Sequence, residues 1–211
     1  MTNRGNQIQL ERIIMRLIDI CVSNLSHQRL LKDDVSHYRN ICQHVNVGSL
    51  EKVLEHLRDT AEEKLAQVKA ENLKDDKARD ELARDMETED SPEDLLLIAG
   101  GGTKTAEEKD KVAPAMKYLL DTYKLVLDTL RQNSKLLKLY SDTVTRAIDF
   151  CITYNRKTDF KRIGETLNSH LKQIIENEKV QQYKIPYPVH LNVEDCYRNI
   201  LDMRFRYFTS A

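Results

Sequence analysis

There is no tryptophan in this chain, and only six glycines and four prolines are spread over its 211 residues. A sheet-based fold would call for more glycine and more β-branched residues in its strands and tight turns, so the composition points to an all-α protein. Neither sign of charge is in clear excess, with 33 Lys and Arg against 34 Asp and Glu. The formal net charge of -1 argues against a chain that coats nucleic acid or a membrane wholesale and leaves room only for local basic patches. No stretch approaches the ~20 consecutive apolar residues of a membrane helix, and the opening MTNRGNQIQLERII puts charges where a signal peptide has its apolar core. The expectation is a soluble, unsecreted, cytoplasmic protein with no membrane partner. Cys21, Cys42, Cys151 and Cys196 are far apart, form no CxxC pair and each fall in an apolar helical stripe. They read as small buried hydrophobes in a reducing compartment rather than as disulfides or metal ligands.

What the chain does have is helical periodicity at a size that can bury a sizeable core in one elongated domain or two small ones. Ile8, Ile13, Ile14, Leu17, Ile18, Cys21, Val22 and Leu25 form a stripe broad enough to face two neighbours. After the polar break at Ser26-His27-Gln28, Leu30, Leu31, Val35, Tyr38, Ile41, Cys42 and Val45 make a second helix that folds back antiparallel. Asn46-Val47-Gly48 is a stop signal, and Ser49 is the expected cap of the next helix. Leu50, Val53, Leu54, Leu57, Ala61, Leu65 and Val68 hold one face of that helix, which thins between Glu71 and Asp90 into dense charge. Such a segment suits a solvated helical extension or linker, or an arm that docks only within an assembly.

Ser91-Pro92-Glu93-Asp94 predicts the start of a short apolar helix reaching Ala99. Gly100-Gly101-Gly102-Thr103-Lys104-Thr105 superficially suggests a phosphate loop, but Thr103 separates the glycines from Lys104 and no strand precedes them, so a flexible loop is expected. Pro114 is the expected opening of a long helix carrying Leu119, Leu120, Tyr123, Val126, Leu127 and Leu130. Leu136, Leu137, Tyr140, Val144, Ala147 and Ile148 begin the next helix. Residues 181–191, with two prolines, read as an irregular linker. Asn192 and Asp195 are the expected caps of a last helix through Cys196, Ile200, Leu201, Phe205 and Phe208, which ends without an obvious stop. The domain plan is therefore first hairpins over 7–70, a charged extension over 71–90, a second set of hairpins over 91–180, a linker over 181–191, and the start of a further helix over 192–211.

The centre of this plan is the turn inside Asp149 to Leu171. One apolar helix closes through Ile148, Cys151, Ile152 and Tyr154, and a second opens with Thr158 as its expected cap and Phe160, Ile163, Leu167, Leu171 and Ile174 as its stripe. Arg156, Lys157, Lys161 and Arg162 gather on or beside this corner, the most concentrated basic site in the chain. They are the candidate contact residues for RNA phosphates or an acidic neighbour, the alternatives being a solvated hairpin tip or arginines capping helix-end carbonyls. Tyr154 and Phe160 flank them at a spacing that suits core packing.

Nothing in the sequence makes a catalytic, cofactor or metal site. His37 and His44 sit about two helical turns, ~10 Å, apart, too far to share a metal with Cys42 unaided, and no H-E-x-x-H pattern exists. Cys151 and His170 could pair across the central hairpin as nucleophile and base, but Cys151 lies in an apolar stripe where its thiol is expected to stay protonated. His27, His56 and His190 read as surface or capping residues.

Four separated motifs carry a family resemblance: YRNICQHVNVGSLEKV at 38–53, SPEDLLL at 91–97, YKLVLDTLRQNSKLLKLY at 123–140 and FCITYNRKTDFKRIGETLNSHL at 150–171. In order and spacing they resemble the N-terminal helical region of the a-subunit family of eukaryotic translation initiation factor 3. The resemblance implies stacked antiparallel hairpins, a TPR- or HEAT-like right-handed solenoid, leading to a PCI domain beyond Ala211. It also implies a non-catalytic scaffold without cofactors. That scaffold pairs with the c subunit and other subunits of the factor, binds the small ribosomal subunit through ribosomal protein or RNA, and indirectly helps recruit mRNA and the initiator complex. The competing reading is an interaction module of another PCI-type complex, a proteasome-lid or signalosome relative.

Overall fold

A computed structural model describes residues 4–25, 27–85, 104–180 and 187–210. Seven α-helices and one short 3-10 turn account for nearly all of them: α1 Arg4–Asn24, α2 Gln28–Val45, α3 Val47–Asp85, α4 Lys104–Leu130, the turn Ser134–Leu136, α5 Leu137–Thr153, α6 Lys157–Val180 and α7 Glu194–Thr209. No strand occurs among the described residues. The chain is all-α, a TPR-like solenoid of helical hairpins in which α1 and α2 pack on α3, α4 lies along α3, α5 packs on α4, and α6 and α7 both rest on α5. None of the described helices is long and apolar enough to cross a membrane.

The periodic stripes form one continuous core. Ile18 and Val22 of α1, Leu31 and Val35 of α2, and Leu50, Leu54 and Leu57 of α3 are almost fully removed from water. Leu119, Leu127 and Leu130 of α4 carry the same core onward to Val144, Ala147 and Ile148 of α5. Burying each large aliphatic side chain stabilises the fold by roughly 1.5–3 kcal/mol relative to leaving it in water. All four cysteines are buried and unbridged.

Polar groups fix the register where α3 meets its neighbours. Arg58 of α3 is only 3% exposed, and its side chain donates to Asp142 of α5 at 2.7 Å and to Asp59 at 2.9 Å. Arg146 of α5 returns to Glu62 of α3 at 2.9 Å, and the Tyr123 hydroxyl of α4 donates to the same Glu62 at 2.9 Å. Three helices are thereby tied through one charged cluster. His56 meets Asp19 at 2.7 Å and ties α3 to α1.

Several helix starts differ from the sequence expectation. Only Asn46 separates α2 from α3, and its side-chain oxygen accepts the Ser49 N–H at 3.2 Å. Asn46 is therefore the cap. Ser49, 5% exposed, instead turns its hydroxyl to the Tyr38 hydroxyl at 2.6 Å and to the Glu11 carboxylate, joining three helices. Pro114 does not open its helix: α4 begins at Lys104 and runs through Pro114. The ring faces solvent, so the helix tolerates one missing N–H in return for keeping Ala115, Tyr118 and Leu119 buried on the opposite side. At the last helix, Val193 is the N-cap and makes no side-chain cap bond; Glu194 and Asp195 lie in the first turn, where their charge faces the helix dipole, and Asn192 stands outside the helix.

Helix α3 runs unbroken past position 70 to Asp85. The expected short helix from Ser91 to Ala99 and residues 100–103 of the expected loop lie outside the described residues, while Lys104 and Thr105, also expected in that loop, belong to the first turn of α4. Within the 181–191 stretch, Tyr187 is anchored: its carbonyl accepts from the Ser134 backbone N–H at 2.9 Å, and Lys135 sits 3.6 Å from its ring centre.

Candidate partner-contact site at the α5–α6 corner

The corner is built by backbone first. Asn155 adopts φ 50, a left-handed conformation that asparagine tolerates better than most residues. With it in place, the Arg156 N–H reaches back to the Cys151 carbonyl at 2.8 Å and the Asn155 N–H to Ile152 at 3.1 Å. This pair of bonds is a Schellman stop, and it satisfies the last carbonyls of α5. The Arg156 carbonyl immediately accepts the Phe160 N–H at 3.0 Å, so α6 starts at Lys157. Thr158 therefore lies inside the first turn rather than at the cap expected of it, because the stop at Asn155 leaves only Arg156 before α6 begins.

The four basic residues line two different cavities. Asp159, 8% exposed, accepts from Arg156 Nε at 2.6 Å and from Arg162 Nη1 at 3.4 Å. Its position in the first turn of α6 also suits the helix dipole. Arg156, Lys157 and Lys161 then line one groove of about 450 Å³ with Ile152, Phe160 and Tyr207, and no carboxylate lines it. Arg162 instead lines a second cleft of about 560 Å³ between α4 and α6, where Lys124 and Arg131 are balanced by Asp121, Asp128, Asp159 and Glu165. Lys157 and Lys161 are exposed, one turn apart on α6, and have no ion-pair partner among the described residues. Asp159 was not singled out in the sequence. Its spacing of three from both arginines is the signal that would have found it.

The flanking aromatics are structural, as their spacing suggested. Tyr154 packs against Phe150 with ring centres 4.7 Å apart and carries Lys69 of α3 over its face at 3.7 Å. Phe160 stacks on Tyr207 of α7 at 4.6 Å with the planes 10° from parallel.

The Cys151 and His170 pairing is not formed. Both imidazole nitrogens are otherwise engaged: Nδ1 with the Tyr140 hydroxyl at 3.0 Å and Nε2 with Asp128 at 2.9 Å. Burial, reinforced by the Asp159 charge and only partly offset by Arg156, pushes the Cys151 thiol up to about 11, so it is protonated at neutral pH. Burial likewise raises the Cys21 and Cys42 thiols. Among the described residues no group of three His, Cys, Asp or Glu side chains is placed to hold a metal ion.

A family model described as "eIF3a, PCI domain, TPR-like region" matches residues 2–211. The chain belongs to the a-subunit family of eukaryotic translation initiation factor 3. It is 37% identical over 204 residues to the a-subunit of this factor in Arabidopsis thaliana, covering 96% of this chain and 20% of the relative. The a-subunit of Nicotiana tabacum is 36% identical over 206 residues with the same coverage. That of Schizosaccharomyces pombe is 33% identical over 200 residues, covering 93% of this chain and 20% of the relative. The chain thus spans about a fifth of the length of these relatives. The TPR-like region named in the family description is the same architecture as the stacked hairpins described above.

Proposed function

We propose that this chain is a non-catalytic scaffold region of a cytoplasmic a-subunit of initiation factor 3. In this reading its helical hairpins help assemble the factor's core, with the c subunit as principal partner among the other subunits. Its basic corner meets the small ribosomal subunit, through a ribosomal protein or RNA, and the assembled factor then helps recruit mRNA and the initiator complex. The observation that carries the reading is the match along residues 2–211, supported by a-subunit relatives from plants and fungi. The corner suits such a contact because a single acid, Asp159, is shared by both arginines, while Lys157 and Lys161 are exposed with no ion-pair partner among the described residues. A charge-driven contact of this kind weakens with salt.

Co-sedimentation with purified small ribosomal subunits tests it, using the full-length protein with and without the c subunit. Wild type is expected to pellet with the ribosomal subunit, and Lys157→Ala/Lys161→Ala to pellet less, most visibly as salt is raised. Failure of the wild type to bind either the ribosomal subunit or the c subunit overturns the functional reading. Equal pelleting of both proteins removes the corner from it.

A further inference from the structure

The groove beside Lys157 and Lys161 has a floor as well as a charged rim, and the two differ in character. Arg156, Lys157 and Lys161 supply positive charge with no carboxylate among the lining residues. The floor is apolar, formed by Ile152 of α5, Phe160 of α6 and Tyr207 of α7. Ile152 is 51% exposed, a large aliphatic side chain left open to water at the foot of a basic rim. The cleft on the other side of α6 is larger but already neutralised internally by its four acids.

We propose that this groove binds an acidic polypeptide segment that carries an apolar side chain. The segment's carboxylates meet Lys157 and Lys161, together with the N–H groups of Arg156 that Asp159 does not hold, and its apolar side chain covers Ile152 and the edges of Phe160 and Tyr207. Charge complementarity selects the acidic partner, and the floor selects protein over RNA. A base docks by stacking on an open aromatic face. Here Phe160 and Tyr207 already stack on each other at 4.6 Å, each half-buried, so each covers a face of the other. The most open apolar side chain in the groove, Ile152, is aliphatic and offers no face for a base, but it does offer apolar area whose burial favours a hydrophobic anchor. Carboxylates around such an anchor add on-rate and specificity through the lysines.

This deepens the reading of the corner as a contact surface and rests on it. The test is fluorescence anisotropy on the intact protein with two labelled probes. One is a synthetic peptide of Asp and Glu around a single central Phe; the other is a single-stranded oligouridylate. The peptide is expected to bind and to weaken when its Phe is replaced by Ala. Lys157→Glu/Lys161→Glu should weaken it by about tenfold or more, whereas Lys138→Glu, an exposed lysine outside the groove, should leave it unchanged. Ile152→Asp is expected to weaken the peptide as well. If that variant fails to fold by circular dichroism, the lysine pair alone decides. Failure of the peptide to bind, binding insensitive to the lysine reversal, or tighter binding by oligouridylate that competes with the peptide each overturns the proposal. Failure of the proposal and failure of the wider reading are distinguishable. Oligouridylate binding with ribosome co-sedimentation still lysine-dependent keeps the corner as a ribosome contact and makes it an RNA site. Peptide binding with lysine-independent co-sedimentation keeps the groove and moves the ribosome contact elsewhere.

Discussion

The backbone of α6 at Gly164 lies directly against the phenol of Tyr207 on α7, and a Cβ added there would overlap the hydroxyl and ring carbons of that side chain. Tyr207 is in turn stacked on Phe160, so the glycine, the tyrosine and the phenylalanine form the seam between the two helices. Ala is a better helix former than Gly by about 1 kcal/mol, which alone would stabilise α6. Overlap with a packed ring costs about 1–3 kcal/mol and outweighs it. Gly164→Ala is therefore expected to lower the melting temperature by a few degrees. Tyr207→Ala in the same chain removes the overlap, so the double variant should be less destabilised than the sum of the singles. Strict additivity would show that the two positions do not touch.

That seam shows where sequence reasoning stops. The stripe of Phe160, Ile163, Leu167 and Leu171 announced α6, and the stripes of the other helices announced a stack of hairpins, because burial periodicity is a local property written every three or four residues. Gly164 gave no such signal: its importance lies in a residue 43 positions later pressing on it, and periodicity is silent about which helix covers which face. Caps were misread for a related reason. Ser49 is a good cap by residue type, but its hydroxyl is taken by Tyr38 and Glu11 from two other helices, and Asn46 does the capping. At the corner the four basic residues were legible as a cluster, whereas their division into two faces by the buried Asp159 required the helix to be built.

Arg58 gives a prediction about energetics. Its guanidinium is buried between α3 and α5, with Asp142 and Asp59 as partners that are each about half exposed. Removing a partner of a buried charge costs more than the pair contributes, because the charge is left desolvated. Solvent at both carboxylates reduces that cost, and Asp59 still compensates in part. Asp142→Ala should destabilise by about 2 kcal/mol in urea titration. Arg58→Met, which keeps the apolar volume and removes the charge, should cost less. A larger loss for Arg58→Met would show that the methylene packing and hydrogen bonds, not charge burial, dominate here.

The chain of hydrogen bonds from buried Tyr140 and His170 to the partly exposed Asp128 predicts an acid dependence. Burial pushes the Asp128 carboxyl up, but the hydrogen bond and charge of His170, aided by Arg131 and Lys124, outweigh it and hold the group below its ordinary value of 3.8. A carboxyl depressed on folding stabilises the native state at pH above its unfolded value, and the contribution is lost as pH falls from there through the folded value. Wild type should therefore lose stability over this acidic window, below about pH 4, more steeply than Asp128→Asn. Melting temperatures between pH 3 and 5, about one unit either side of that value, check it: parallel curves for the two proteins would show that Asp128 does not titrate differently on folding.

The cysteines predict a chemical signature of the fold. All four thiols are buried, and burial raises those of Cys21 and Cys42 and takes Cys151 to about 11, so these three are protonated at neutral pH. Alkylation by iodoacetamide requires the thiolate and access to it, and both are supplied only when a helix pair opens. In the native protein at pH 7.5, roughly one unit below a free thiol, labelling should be slow at every cysteine; in denaturant all four should react at the rate of free cysteine. Mass spectrometry resolves the sites, and Cys151 should follow the opening of the α5–α6 corner. Lys157→Glu/Lys161→Glu ought to leave its labelling rate unchanged, since neither lysine is paired within the described fold. Accelerated labelling of Cys151 in that variant would mean that the exposed lysines also hold the corner shut, and that the loss of partner binding expected of it reflects local unfolding.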